Sequence, residues 1–428
     1  MAILQIRSDN PKFSFLLKKN PEGIMQVKSV RQGTLFGFYS KNNIQEFNCF
    51  FKDGEDEVSY KTFLEEEYEY MNTSRYNAAM FPLNAIQEFF EHMIKKDNPE
   101  DPDNTFNNEI TINLMEVTTR KYIELFQTHF KDYQMTAEEV GFKNYKITIT
   151  TKRSFKHLLS YVNLFAAFNV LKLKTYDIDL KTEQNIVKYL NSLTIIDAPY
   201  FIRYCFKVNL LRSPTNMEKY RSIVENSSLY KIEMGFGNTT LMRRNAILEK
   251  IDRDLPVVDI GAGEGFFLKS VTKAAPSYYA IDIDEDCRKA LEKKIKANNI
   301  TNAKVFESYD DYLKEINEPT MVLMVEVIEH MSKEDATKLI TKVLDNPNAL
   351  KILISTPNQN FNKYYDFEEE DMRHEDHHFE LPEQEFKTWI GDIVMSCGGY
   401  KMFNVKVDGI GDKVDGCAVS MLCQIERI

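Results

Sequence analysis

The stretch PVVDIGAGEG, residues 256–265, decides the fold of the half of the chain that contains it. A short apolar run, PVVDI, passes into a turn carrying Gly261, Gly263 and Gly265, and the turn passes into the helical pattern FFLKSVTKAA. Glycine allows a tight turn and a close approach to the main chain, so this strand-to-helix turn is suited to receiving a ligand. The same alternation continues outward. SYYAIDID, AKVFES, TMVLMVEV and KILISTP are further short apolar runs separated by helical stretches. With the first they make five strands, which predicts a doubly wound, mostly parallel α/β sheet. The second strand ends at Asp282, about twenty residues beyond Asp259, where a carboxylate can accept hydrogen bonds from a ribose diol.

Upstream of about residue 225 the pattern differs. Short β-like runs (GTLFGFYS, EFNCFF) precede the apolar helical stretch FPLNAIQEFFEHMIKK, and KKDNPEDPDNTFNNE (95–109) reads as a loop from its Pro, Asn and Asp content. From Glu109 the order is strand (EITINLMEV), helix (TRKYIELFQTHF), strand (YKITITT), then a long amphipathic helix over 154–173. Helical periodicity continues through TEQNIVKYLNSL and APYFIRYCFKVNLL, and RSPTNMEK breaks it. The expected organisation is an α+β module over 1–225, subdivided near 97–108, and the α/β domain over 226–428. There is no internal repeat, and the one biased tract is the acidic run 368–371.

At 428 residues, with 43% hydrophobic and 28% charged, the chain has the composition of a soluble globular protein with more than one core. No run approaches the ~18 apolar residues of a membrane span. The N-terminus MAILQIRSDNPKFSF lacks a signal-peptide layout, so a cytoplasmic protein is expected. Cys49, Cys205, Cys287, Cys397, Cys417 and Cys423 form no C-x-x-C pair and read as reduced thiols. A net charge of −11 argues against a protein that coats long nucleic acid, though not against one that grips only an end. Lys152-Arg153 and Arg243-Arg244 are local basic clusters that serve either as phosphate contacts or as solvated faces.

The fourth strand of the α/β half delivers Glu326, Glu329 and His330 in EVIEH at its carboxyl end, where open α/β sheets place their chemistry. If the chain turns helical there, these groups share one face; they could equally be ordinary helix-start residues. A second cluster, RHEDHHFE (373–380), puts His374, His377 and His378 shortly after the fifth strand. Four of the seven histidines thus lie in two segments. Two carboxylates and two imidazoles make a mixed oxygen and nitrogen set suited to Mn²⁺, with Mg²⁺ or Co²⁺ as alternatives; zinc is disfavoured by the lack of thiolates.

The D-x-G-x-G-x-G form, beginning at Asp259, resembles the first motif of class I methyltransferases more than the G-x-G-x-x-G of dinucleotide binders. That resemblance implies a Rossmann-like methyltransferase fold. It implies S-adenosylmethionine on Asp259, Gly261, Gly263, Gly265 and Asp282, with Asp310 or Asp311 at the adenine. Together, DIGAGEG, EVIEH, STPN and RHEDHHFE resemble the HEN family of RNA 3′-terminal 2′-O-methyltransferases. The family implies metal ligands at Glu326, Glu329, His330 and His377, with His374, Arg373 and Asn358 near the substrate. An aromatic usually follows the F-E pair; here Leu381 stands there.

FSFLLKKNPEG, YMNTSRYNAAMF and NYKITITTKRSFKHLLSYVNLFAAFNVLK look like the N-terminal extension of the family's bacterial members. The extension implies RNA repair: a hetero-oligomer in which the first half docks on a polynucleotide kinase-phosphatase-ligase and activates its ligase, while the second half methylates broken RNA 3′ ends. Two other readings use the same residues. EVIEH-like runs also occur in quinone-pathway methyltransferases that act on small molecules, and the chain could serve mainly as a ligase-activating scaffold.

Overall fold

A computed structural model describes residues 2–23, 25–30, 33–52, 76–172, 182–365 and 372–428. The acidic run 368–371 and residues 70–75 of the YMNTSRYNAAMF stretch lie outside the described residues. The chain divides into two compact units, Met1–Arg212 with Glu218–Leu229, and Ser213–Met217 with Tyr230–Ile428.

The first unit is an antiparallel sheet with helices. Its elements run β1 (Ala2–Ser8), α1 (Phe13–Leu17), β2 (Gln26–Val30), β3 (Gly33–Ser40), β4 (Asn43–Lys52), α2 (Met80–Lys95), β5 (Asn108–Glu116), α3 (Arg120–His129), β6 (Gln134–Gly141), β7 (Asn144–Thr151), α4 (Phe155–Lys172), α5 (Glu183–Ile196), α6 (Tyr200–Leu210) and, from Glu218 onward, α7 (Pro214–Val224). The strand order is β2-β3-β4-β1-β5-β7-β6.

Two sequence expectations change here. Helix α4 is not amphipathic: Ser160, Asn163 and Asn169 are as buried as Leu159 and Phe165, because α2, α5, α6 and β5 pack around it. RSPTNMEK does not end the helical region. Pro214 opens α7, a position where its missing N–H has no helical partner to lose. The 95–109 loop also caps α4, since Asp101 Oδ2 accepts from Phe155 N (2.6 Å) and Asp103 Oδ1 from Ser154 N (2.7 Å).

Arg203 on α6 is fully buried. Its guanidinium donates to the carbonyls of Ala198 (2.5 Å), Leu193 (3.2 Å) and Val224 (3.1 Å) and meets Asp197 Oδ1 at 3.0 Å. One cation therefore satisfies carbonyl groups at the ends of α5 and α7, which helix geometry leaves without internal donors.

The second unit runs β8 (Ile232–Glu233), α8 (Thr239–Leu248), β9 (Val257–Ile260), α9 (Leu268–Ala274), β10 (Tyr278–Ile281), α10 (Glu285–Ala297), β11 (Ala303–Phe306), α11 (Tyr309–Glu315), β12 (Thr320–Val325), α12 (Lys333–Asp345), β13 (Ala349–Pro357), α13 (Glu383–Ser396), β14 (Phe403–Val414) and β15 (Cys417–Arg427). The sheet order is β11-β10-β9-β12-β13-β15-β14-β8. The five expected strands, β9 to β13, pair in parallel; β15, β14 and β8 complete the sheet in antiparallel register.

Alternate residues of the parallel strands feed two cores. Val258, Ile260, Val322, Met324, Ile352 and Ile354 face one, and Val257, Met321, Leu323 and Leu353 face the other. Such two-sided burial is what a doubly wound sheet requires. The strand order reverses at β9, between β10 on one side and β12 on the other, so a crevice opens at the carboxyl ends of β9 and β12.

Candidate active site

The glycine turn after β9 takes left-handed backbone at Gly261 (φ 73°), Gly263 (φ 53°) and Gly265 (φ 84°). The three positions tolerate a side chain differently. A Cβ at Gly261 would lie 2.4 Å from Val327 Cγ2, so the turn packs directly on the loop that follows β12. One at Gly265 would strike Leu291, whereas one at Gly263 would meet nothing within 4 Å. The Gly263 N–H donates to Asp282 Oδ2 at 2.7 Å, joining the acid at the end of β10 to the turn.

Asp259 is buried and accepts from Tyr278 Oη at 2.5 Å. Burial, more than the opposing hydrogen bond, pushes its carboxyl up to about 7. An open cleft of about 430 Å³ lies against the turn, lined by Asp259, the turn itself, Thr240, Arg243, Lys294 and Glu326. Asp310 and Asp311 do not line it: Asp310 pairs with Lys342, and Asp311 is held by Ser308 and Lys314 in the first turn of α11.

At the end of β12 the chain does not start an α-helix. Glu326 takes left-handed backbone (φ 54°), and a single 3₁₀ turn, Ile328–His330, follows. Glu326 turns toward the cleft, with Oε2 2.5 Å from Arg243 Nη1 and Oε1 accepting from Ser355 Oγ at 3.0 Å. Glu329 turns inward and is fully buried. Its Oε2 accepts from Thr356 Oγ1 at 3.2 Å, while its Oε1 has no hydrogen-bond partner. Burial, followed by the nearby Glu326 carboxylate, pushes Glu329 up to about 8.

Ligand atoms of Glu329, His330 and His377 lie within 4.8 Å of one another. The His330 and His377 rings are 4.7 Å apart and nearly perpendicular. His377 Nδ1 meets Glu380 Oε1 at 2.6 Å, which fixes the ring and leaves Nε2 as its remaining nitrogen. Burial, then His377 and His374, lower the pKa of His330 and favour the neutral ring that a metal ligand must be. The fit to a divalent cation is chemical: a buried carboxylate oxygen without a donor faces two imidazoles, one oriented by a carboxylate. Glu326, the fourth expected ligand, is outside this trio and bound to Arg243.

Glu380 organises the segment around His377. It also accepts from Arg373 N (2.8 Å) and Asn362 Nδ2 (2.7 Å). Arg373 donates to Asn362 Oδ1 and to the Asn358 carbonyl, both at 2.7 Å, and lies 5.5 Å from the centre of the Tyr365 ring. Asn358 is buried and donates to the Ala418 carbonyl of β15 at 3.0 Å, so it braces the site. His374 is exposed, with its ring 5.8 Å from that of His377. His378 is also exposed, and its main-chain N–H donates to the Glu329 carbonyl at 2.7 Å. Phe379 packs edge-on against Trp389 of α13 at 5.6 Å, and the indole N–H donates to Thr337 Oγ1 at 3.0 Å.

Known proteins carry the same parts. Residues 3–229 match the family model of the Hen1 N-terminal domain, and residues 240–392 match a methyltransferase domain. The chain belongs to the Hen1 family. Its second unit is a methyltransferase domain with a Rossmann-like fold and a mixed sheet, and its first is a separate antiparallel sheet with helices. The chain is similar to the small RNA 2′-O-methyltransferase of Drosophila melanogaster, 26% identical over 233 residues, covering 53% of each chain. It is 30% identical over 107 residues to the protein of that name in Tetrahymena thermophila, covering 24% of this chain and 25% of that one. It thus spans about half the length, or less, of these Hen1 relatives. A chain of the solved Pnkp1/Rnl/Hen1 RNA repair complex matches with a TM-score of 0.79 and 25% identity, over 99% of this chain and 100% of that one.

Sequence reading missed several residues of the site. Arg243 stands in α8 and reads in sequence only as part of the basic pair Arg243-Arg244; nothing marks its pairing with Glu326. Tyr278, Ser355 and Thr356 read as strand residues. Glu380 had a signal, because it follows His377 at the spacing that lets a carboxylate reach the ring of a preceding histidine.

Proposed function

We propose that this Hen1-family chain transfers a methyl group from S-adenosylmethionine to the 2′-hydroxyl of the 3′-terminal nucleotide of RNA, with the help of a divalent cation. The observation that carries this reading is Glu329, buried with one carboxylate oxygen lacking a donor and grouped with His330 and His377, on a loop whose Val327 packs on the glycine turn. Glu329, His330 and His377 would hold the cation, with Glu326 as a further ligand; Mn²⁺ suits the donor set, and Mg²⁺ or Co²⁺ are alternatives. A cation there supplies a Lewis acid that lowers the pKa of a ribose hydroxyl and can engage vicinal 2′ and 3′ oxygens together.

Only a terminal ribose offers both oxygens, which explains a preference for RNA 3′ ends. The chain's own residues do the rest. The turn at Gly261, Gly263 and Gly265 would admit the cofactor, and Asp282 would accept from its ribose diol. Glu380 orients His377, and Arg373 and His374 lie on the side where the RNA end would enter.

The first unit is read as the ligase-activating half, docking on a kinase-phosphatase-ligase in a cytoplasmic hetero-oligomer that repairs broken RNA. Full-length likeness to a chain of an RNA repair complex supports this. Among the described residues no helix is long and apolar enough to cross a membrane.

The test is methyl transfer to RNA ending in a 2′,3′-diol, a 2′-deoxyribose or a 3′-phosphate. Activity on the diol alone is expected; equal activity on the deoxy end overturns the reading, and activity on small phenols without any on RNA favours a quinone-pathway enzyme. Adding the full chain to the ligase partner is expected to raise adenylate transfer, and no gain removes the repair role.

A further inference from the structure

We propose that Arg243 couples the cation site to the cofactor cleft, so that a bound cation strengthens cofactor binding and the reverse. This rests on the functional reading above. Arg243 Nη1 is 2.5 Å from Glu326 Oε2, and both side chains are largely withdrawn from solvent, at 16% and 21% exposure. Both line the cleft beside the glycine turn.

The cofactor's amino-acid end carries a carboxylate, and the cleft it enters already holds the acids Asp259, Glu264 and Glu326. Its cationic lining residues are Arg243 and Lys294. Lys294 is engaged by Glu264, through both the carboxylate (2.9 Å) and the main-chain carbonyl (2.7 Å). Arg243 is the cation placed to receive a second carboxylate, and Glu326 now neutralises it.

Glu326 is drawn the other way as well. It stands three residues before Glu329, outside the Glu329–His330–His377 cluster but close enough to interact electrostatically with Glu329 and His377, with a backbone conformation that non-glycine residues rarely adopt. A cation in that cluster competes with Arg243 for the Glu326 carboxylate, and a cofactor carboxylate competes with Glu326 for Arg243. Either ligand alone must break the same sheltered ion pair and leave one partner without its counter-charge, which is costly away from water. With the first bound, the second meets a partner already released. Linkage makes the effect reciprocal.

The experiment is calorimetric titration of the full chain with S-adenosylhomocysteine, with and without saturating Mn²⁺, and the converse titration of Mn²⁺ followed by electron paramagnetic resonance. Saturating Mn²⁺ is expected to lower the Kd of S-adenosylhomocysteine about tenfold, and S-adenosylhomocysteine to lower that of Mn²⁺ by the same factor. Arg243→Gln and Arg243→Ala should each weaken S-adenosylhomocysteine alone, tighten Mn²⁺ alone and reduce the coupling to less than about twofold. If both probes bind the natural protein but neither changes the other's Kd, the coupling is refuted and the functional reading stands. Coupling that persists unchanged in Arg243→Gln refutes the role of Arg243. Should Mn²⁺ or S-adenosylhomocysteine fail to bind the natural protein, the functional reading itself fails and the proposal falls with it.

Discussion

Burial raises both Glu326 and Glu329, two carboxylates three residues apart, but Glu326 has a cation in contact and Glu329 does not. Arg243 meets Glu326, whereas Glu329 is buried with one oxygen unpartnered and is pushed up to about 8. Without metal, the folded protein therefore keeps a proton on Glu329 that an unfolded glutamate loses near pH ~4.3. The folded state binds more protons between these values, so stability falls as pH rises from about 5 to 8. Asp259, pushed up to about 7, adds to the same slope. Thermal unfolding in chelator across this range should show it, and Glu329→Gln should flatten it; an unchanged slope in the variant would contradict the assignment. Mn²⁺ affinity should rise over the same range as the carboxyl gives up its proton. Glu380→Gln weakens the acceptor that orients His377, and a loss of about 10- to 100-fold in Mn²⁺ affinity is expected by titration.

Elements, rather than single side chains, decide how the glycine turn and the helical cluster of the first unit respond to change. Gly265→Ala forces a Cβ into Leu291 at positive φ, and a stability loss of about 1–3 kcal/mol is expected by chemical denaturation. Gly263→Ala meets open space but keeps the left-handed backbone (φ 53°), so it should cost about 1 kcal/mol of stability while weakening S-adenosylhomocysteine binding, measured by calorimetry. Arg203→Ala removes the side-chain donor to the Ala198, Leu193 and Val224 carbonyls and leaves Asp197 without its cation, although Leu193 still accepts from Ala198 N. A loss of about 3–5 kcal/mol is expected, seen as faster hydrogen exchange across 183–224. The elements differ in how far the sequence exposes them. Strands β9, β10, β12 and β13 are legible because burial on both faces makes each a short, largely apolar run, whereas the edge strand β11 has only Phe306 buried and is placed by its spacing in the alternation. Strand β14 is not: FNVKVDGIGDKV mixes polar residues into a partly exposed strand and slips register between Ile410 and Lys413. The site motifs are legible as composition, since imidazoles and carboxylates crowd two short segments. The turn of Glu326 toward Arg243 is not, because it depends on a helix more than 80 residues away in sequence that carries no motif.

Across the whole molecule a net charge of −11 has to coexist with the proposed RNA substrate, a polyanion. Contact with only a terminal nucleotide or two reconciles them, and the salt dependence of RNA binding reads this out. A slope of log K against log salt shallower than about −3 is expected, because few phosphates are neutralised. A slope near −6 would mean that the chain tracks a long stretch of RNA. The molecule also has a single tryptophan, Trp389, and its ring is packed edge-on against Phe379, between His377 and Glu380 in sequence. The chain thus carries its own optical reporter. Excited at the indole band, all emission comes from one ring a few ångströms from the histidine segment, so occupation of the proposed cation site should be readable as a change in intrinsic fluorescence, in real time and without a label.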